Sequence, residues 1–373
     1  SIYSTLSICQ VINTIFDNNQ SKSGGAYYSD KDTIVIINCN IAKNMTNSSH
    51  GGFLYSNISK FDIQNCTLDS NQAQINGGGI YSTGGSGTIT YSKFNINKGS
   101  SGGAVYSNSL LNIDDCNFYS NSTTSNGGAI GSSASLTINR TNLTNNKSTS
   151  SGGAIYSTAS LIIDDCQISD NLSNIGAGIY INDKGLNIKR SKINNNKSTN
   201  NGGGIYSDGS INVISCMVFD NQAKSGGGFY SKTITLINSL IENNISTDFG
   251  GGIYNSGTIN CVNSTLSQNI SNFGGGIYIN NNVTHNIKNT IIWNNSATTE
   301  GKQIYKALGT LNINNSCFPN NASDIFGVFV SNNCIFTDPK FFNSENKDFR
   351  IDRLSSCIDK GNDSYITELY DIR

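Results

Sequence analysis

A short phrase returns about every 25 residues, and that repetition restricts the possible folds more than any other feature of the chain. Gly-Gly-Ala-Ile-Tyr-Ser at residues 152–157 reappears as Gly-Gly-Gly-Ile-Tyr-Ser at 202–207, with variants beginning at Gly24, Gly51, Gly77, Gly102, Gly127, Gly226, Gly250 and Gly274. Its tyrosine stands at Tyr3, Tyr28, Tyr55, Tyr81, Tyr106, Tyr156, Tyr180, Tyr206, Tyr230, Tyr254, Tyr278 and Tyr305, and Gly131 fills the one gap. A period this short does not suit a helical-pair repeat and is typical of one turn of a β-solenoid.

A second signal runs in step with the first: an apolar residue three positions before an asparagine, as in Phe16/Asn19, Leu68/Asn71, Phe94/Asn97, Phe118/Asn121, Ile168/Asn171 and Leu266/Asn269. The column comprises Asn19, Asn44, Asn71, Asn97, Asn121, Asn146, Asn171, Asn196, Asn221, Asn244, Asn269 and Asn295. Ten and eight residues before it lie apolar pairs such as Leu111 and Ile113, or Leu161 and Ile163, usually separated by a polar residue. That alternation marks strands with one buried face. No single coil buries its apolar face alone, so coils must stack, and a parallel crossover is right-handed in nearly all cases. The expected fold is an all-β, right-handed parallel β-helix of about 12–13 coils over residues 1–305. Residues 306–373 should form a less regular closing region, a cap or a docking piece. The Gly pair should mark a sharp corner, and the Asn column an internal amide ladder.

Composition narrows the function. Abundant Gly (39) and Asn (58), with 13% charged residues, would suit a disordered tract were the apolar residues not regularly spaced. A net charge of −1 leaves no basic surplus for phosphates, which argues against a nucleic-acid partner. No apolar run reaches the roughly 18 residues of a membrane span. Without an initiating Met or a signal peptide, the chain reads as a processed or excerpted segment.

Two further columns flank the corner. Five residues before each Asn sits Cys, Ser or Thr, including Cys39, Cys66, Cys116, Cys166 and Cys216, which describes a small interior slot rather than a metal or redox site. Cys116, Cys166 and Cys216 stand two coils apart, about 9.6 Å at strand spacing, too far to bridge. Disulfides are therefore expected only among Cys317, Cys334 and Cys357, where cysteines leave the column for irregular chain. One position before the small column, Asp115, Arg140, Asp165 and Arg190 alternate in sign and should form an exposed ion ladder that disfavours a one-coil slip.

The Tyr column should lie outside the coil, because its neighbour in each strand is the buried member. Tyr81, Tyr106, Tyr156, Tyr180, Tyr206, Tyr230, Tyr254 and Tyr278 then form an outer aromatic stripe, either an interaction face or a shield of the strand edges. Nineteen Asn-x-Ser/Thr sequons occur. Eight belong to the ladder and should stay unmodified. Asn47, Asn57, Asn65, Asn139, Asn142, Asn263, Asn282, Asn294, Asn314, Asn321 and Asn362 are the outward candidates for N-glycans on a eukaryotic secretory route.

Asp114 and Asp164 are the one hint of an enzyme, yet they stand two coils apart and interleave with arginine. His50 and His285 fall in different coils without a nucleophile signature, so a catalytic triad is not expected. No cofactor or metal is implied.

Phe118 to Asn121 followed by Gly127-Gly128-Ala129-Ile130 resembles the repeats of chlamydial polymorphic outer-membrane proteins. Asp338-Pro339-Lys340-Phe341, Asp348-Phe349-Arg350-Ile351 and Ser356-Cys357-Ile358-Asp359-Lys360-Gly361 look like the closing turn of pectin-lyase-like β-helix proteins. Such proteins serve in adhesion, surface display and sometimes polysaccharide cleavage, and the closing motif usually runs on past a segment like Asp371-Ile372-Arg373. The expected protein is non-enzymatic, extracellular or at the cell surface, structural or adhesive, with carbohydrate attached at the sequons or bound as a surface ligand. Its open first coil also suggests head-to-tail association into filaments. The alternative is a polysaccharide lyase or glycoside hydrolase on the same scaffold. Coil lengths of about 23–27 residues leave little chain for the walls of an active-site cleft, which favours the former.

Overall fold

The computed structural model describes residues 1–365; the segment Asp371-Ile372-Arg373 lies outside the described residues. The chain folds as a parallel β-solenoid of about 13 coils and divides into two compact units, Ser1–Leu186 and Asn187–Arg373. Among the described residues no helix is long and apolar enough to cross a membrane.

In the first unit a representative coil has a long strand, Val105–Asp114, then Asn117–Tyr119 and Ser122–Thr123. The motif residues stack in register: Ile80 opposite Val105, Tyr81 opposite Tyr106, Phe94 opposite Phe118. Val105, Leu111, Ile113 and Phe118 are buried, while the intervening Asn112 and Asn117 are exposed, which is the period-two pattern made solid. The interior accommodates irregularity by exchange between rungs. Phe61 extends beneath the next coil, where a Cβ on Gly87 would come within 2.1 Å of its Cζ. The second unit repeats the pattern, with Ile205–Ile214, Met217–Phe219 and Gln222–Ser225.

Each coil turns three corners, and each corner uses a left-handed residue. The first residue of the Gly pair is one: Gly77 has φ +69°, and a Cβ there would meet the Ile80 carbonyl oxygen at 2.1 Å. Gly78 is glycine for a different reason, since its Cβ would lie 2.1 Å from the Gly103 oxygen of the next coil. The other two corners are made without glycine. Asn65, Tyr91, Asp115 and Arg140, the column expected to carry the ion ladder, have φ of 50°, 52°, 50° and 43°. Ser70, Ile96, Ser120 and Asn145, each just before a ladder Asn, have φ of 55°, 55°, 54° and 60°. Sequence reading found only the Gly corner. The others tolerate many residue types, and Asn and Asp recur there because their short polar side chains lower the cost of this conformation.

Near the end of the second unit the ladder continues past residue 306: Thr310–Asn314 pairs with Thr284–Lys288, and Val330–Asn332 pairs with the coil before it. The chain then leaves the solenoid. Phe341–Asn343 and Asp348–Ile351 form an antiparallel hairpin, here termed the strap with the segment that follows it, and it lies against the side wall.

Candidate functional site

The asparagines form the internal ladder expected of them. In the first unit Asn97 donates from both its backbone N and its Nδ2 to Asn121 Oδ1, at 2.9 and 3.0 Å. Its Nδ2 also reaches the Leu68 carbonyl at 2.9 Å. Leu68 is the apolar residue of the preceding Φ-x-x-Asn, so the motif spacing is the reach of one amide to the coil behind it. Asn121 repeats the pattern with Asn146 and Phe94, and in the second unit Asn221 does so with Asn244 and Ile193. Gln303 completes the ladder by accepting from Asn295 Nδ2 at 2.8 Å. That cap was missed because Gln303 lies in the Gly-corner segment, off the column.

The small column works by the same rule. Cys66 N donates to Ser92 Oγ at 3.0 Å, Cys116 N to Thr141 Oγ1 at 3.2 Å and Thr290 N to Ser316 Oγ at 3.1 Å. After each left-handed corner the next N–H points along the stack, and the following rung's side chain accepts it. Cys, Ser and Thr interchange because a small acceptor is what the slot requires, and burial pushes the Cys116 and Cys166 thiols up to about 12. A third column, the Ser after each motif Tyr, is also internal: Ser82, Ser107, Ser132 and Ser157 are buried. The recurring Tyr-Ser pair was its signal.

Cys334 departs from expectation. It stays in the small column, its thiol donating to the Ile313 and Asn332 carbonyls at 3.3 Å each, just as Cys66 donates to Ile36 and Gln64. The solenoid runs on far enough to include it. Cys317 and Cys357 do leave the column, and both line the groove described next.

In the second unit the strap and the wall enclose a groove of about 910 Å³. Asn238, Asn263, Asn289 and Asn315 present successive corner amides on one side, and Phe349 and Arg350 face them from the strap. The strap is held by polar contacts: Lys347 Nζ to Asp220 at 2.5 Å, Gln268 Nε2 to the Ser344 carbonyl at 3.3 Å, and a reciprocal pair between Asn289 and the Asn362 backbone at 3.0 and 2.9 Å. Beside it lies Glu242, with 1% of its surface exposed and no hydrogen-bond partner on either carboxylate oxygen. Burial pushes its carboxyl up to about 7, with Lys347 pulling the other way and Asp220 adding to the rise.

Arg140 gathers both acids of the preceding coil: its Nη2 pairs with Asp114, and its Nε with Asp115 at 3.0 Å. Asp165 and Arg190 occupy the equivalent exposed corners of their coils. His285 is fully buried, with Nδ1 accepting from Ile259 N at 3.3 Å, and burial and then Lys306 depress it to about 4. His50 stacks on Tyr81 at 4.1 Å. Both histidines are part of the packing.

The motif tyrosines form stacks. In the first unit Tyr81 and Tyr106 lie 6.1 Å apart, and Tyr156 and Tyr180 5.1 Å. In the second unit Tyr206, Tyr230, Tyr254, Tyr278 and Tyr305 stack at 4.4–5.3 Å, ending on Phe326. Tyr81 is buried and the others in these stacks are half-buried, so their ring faces are largely spent on one another. At the Gly131 gap the Tyr106 ring leans across, 2.6 Å from where a Cβ would stand. Of the outward sequons, Asn47, Asn65, Asn142, Asn282, Asn294 and Asn321 are exposed. Asn57, Asn139, Asn263, Asn314 and Asn362 are half-buried, and the Asn57 amide is engaged by Asp30 at 2.6 Å.

Four segments, residues 65–83, 140–158, 191–208 and 238–256, match the Chlamydia polymorphic membrane protein repeat. Each spans a small-column residue, the ladder Asn, the Gly corner and the motif at the Tyr position. The matches cover well under half of the chain. No curated protein and no solved structure gave a match. The chain is a parallel β-solenoid repeat protein that resembles the chlamydial polymorphic membrane proteins.

Proposed function

We propose that this chain is a non-enzymatic structural or adhesive segment of an outer-membrane or other surface-exposed protein, acting through its outer face. The observation that carries this reading is the construction of the coils: strands meet at corners turned on single left-handed residues, and the interior columns serve the stacking. Of the two acids that hinted at catalysis, Asp114 is held by Arg140 together with Asp115, which supports this reading. Similarity to repeats of polymorphic membrane proteins supports the surface location. Head-to-tail self-association, coil edge to coil edge, is the form of assembly that belongs to this reading. Surface labelling of intact cells tests location, and light scattering of the purified chain tests assembly. Protection of the chain in intact cells, or a concentration-independent monomer, would count against the respective part.

The second reading, a carbohydrate-active enzyme, is favoured by one feature, the groove beneath the strap. A screen on acidic and neutral polysaccharides with Ca²⁺ decides between them. Release of reducing ends or unsaturated products, lost on Arg350→Ala, would establish the enzyme.

A further inference from the structure

Cys317 is buried at the wall end of the groove, and Cys357 is half-exposed on the strap. Thr337 ties the two together. Its carbonyl accepts from Cys317 Sγ at 3.4 Å, and its Oγ1 lies 2.8 Å from Ser356 Oγ, next to Cys357. The Cys357 backbone is fixed in turn by Ser355, whose Oγ accepts from Cys357 N at 3.1 Å and donates to the Pro339 carbonyl at 2.6 Å. Both side chains line the same groove.

We propose that Cys317 and Cys357 are a disulfide-forming pair, a redox-closable staple that fastens the strap over the side-wall groove. The structure orders the chemistry. The neighbouring Cys317 side chain pulls the Cys357 thiol down to about 7, against burial, which favours the accessible member as the attacking thiolate. Cys357 attacks a small-molecule disulfide, forming a mixed disulfide and expelling one thiolate. Cys317, pushed up by its Cys357 neighbour and by burial, gives its proton to solvent as it attacks Cys357 Sγ and expels the second thiolate. Two protein thiols are oxidised, one disulfide is reduced to two thiols, and no other oxidant is needed.

Other cysteines provide the contrast. Cys39 and Cys66 occupy adjacent rungs, but both are buried and each donates to carbonyls, and burial pushes Cys66 up to about 11. Cys334 is held in the same way. Closing the staple would leave the groove bounded by covalent chain. Reduced, the strap is held by the polar contacts of Lys347, Gln268 and Asn289.

The test equilibrates the full chain in glutathione buffers from reducing to oxidising, quenches with acid, alkylates under denaturing conditions and maps peptides without reduction. A Cys317–Cys357 linked peptide is expected, with Cys39, Cys66, Cys116 and Cys334 alkylated. Limited trypsinolysis should cut the strap at Lys347, Arg350 and Arg353 several-fold more slowly in the oxidised chain. Cys357→Ser should erase that difference and Cys334→Ser should preserve it. Linkage of Cys317 to Cys334, linkage of Cys39 to Cys66 alone, or two free thiols at 317 and 357 in the most oxidising buffer overturns the proposal. Native circular dichroism of both variants separates loss of the staple from failure to fold.

Discussion

Removing one rung of the Asn ladder should destabilise the protein far more than removing an exposed asparagine a few residues away. Asn121→Ala takes away the acceptor of Asn97 N and of Asn97 Nδ2, and the donor to the Phe94 carbonyl and to Asn146 Oδ1. Two of these groups retain a partner: Asn97 Nδ2 still reaches Leu68, and Asn146 Oδ1 still accepts from Asn121 N. Asn97 N–H and the inward side of the Phe94 carbonyl are left without one in a buried stack. An orphaned buried polar group costs about 1–3 kcal/mol, so the pair should cost about 2–6 kcal/mol. Asn112→Ala, at an exposed strand position of the same coil, should stay within about 0.5 kcal/mol. Urea unfolding measures both, and native-state hydrogen exchange localises the effect, with protection expected to fall first at the Asn97 amide. The local readout matters because stacked repeats need not unfold in one step. Equal midpoints for the two variants, with the Asn97 amide still protected, would show that the ladder contributes geometry but little energy.

Other outcomes follow from the same structure. Glu242 has a folded value of about 7 against the usual 4.5, so its contribution is fully present below pH 4.5 and is lost as pH rises through 7. The loss is on the order of 3 kcal/mol; Glu242→Gln should flatten that part of the stability–pH curve, and an unchanged slope would mean the carboxylate is solvated in solution. Ile96 is a β-branched residue at φ 55° and 57% exposed, in a column where Asn145 and Asn195 stand at 60° and 55°. Ile96→Asn should therefore raise stability by about 1 kcal/mol in thermal unfolding, and a lower midpoint would contradict the strain. Expressed through a eukaryotic secretory route, the chain should carry glycans at exposed sequons such as Asn47, Asn142 and Asn321, and none on ladder members such as Asn121, whose amide is engaged on both sides. Glycopeptide mapping that finds sugar on the ladder, or on none of the outward sites, would refute this.

The strand pattern, the coil length and the inward Asn column were legible in the sequence because a solenoid repeats one local solution: each rung meets the same neighbour, so a column of letters is a column of contacts. Asn44, Asn71 and Asn97 differ in their flanking residues yet make the same bonds. Two classes of feature needed the folded chain. The corner conformations escaped because a left-handed φ leaves no fixed residue type: Tyr91, Ile96 and Arg140 adopt it only because the stacked coils on either side impose it. The groove, the buried Glu242, the Gln303 cap and the meeting of Cys317 and Cys357 in one groove lining escaped because they break the period. The groove and the surroundings of Glu242 arise where the strap returns across coils more than a hundred residues earlier, as when Lys347 meets Asp220. Repetition makes near-neighbour contacts readable from sequence, whereas a segment that leaves the repeat is placed only by the surface on which it comes to rest.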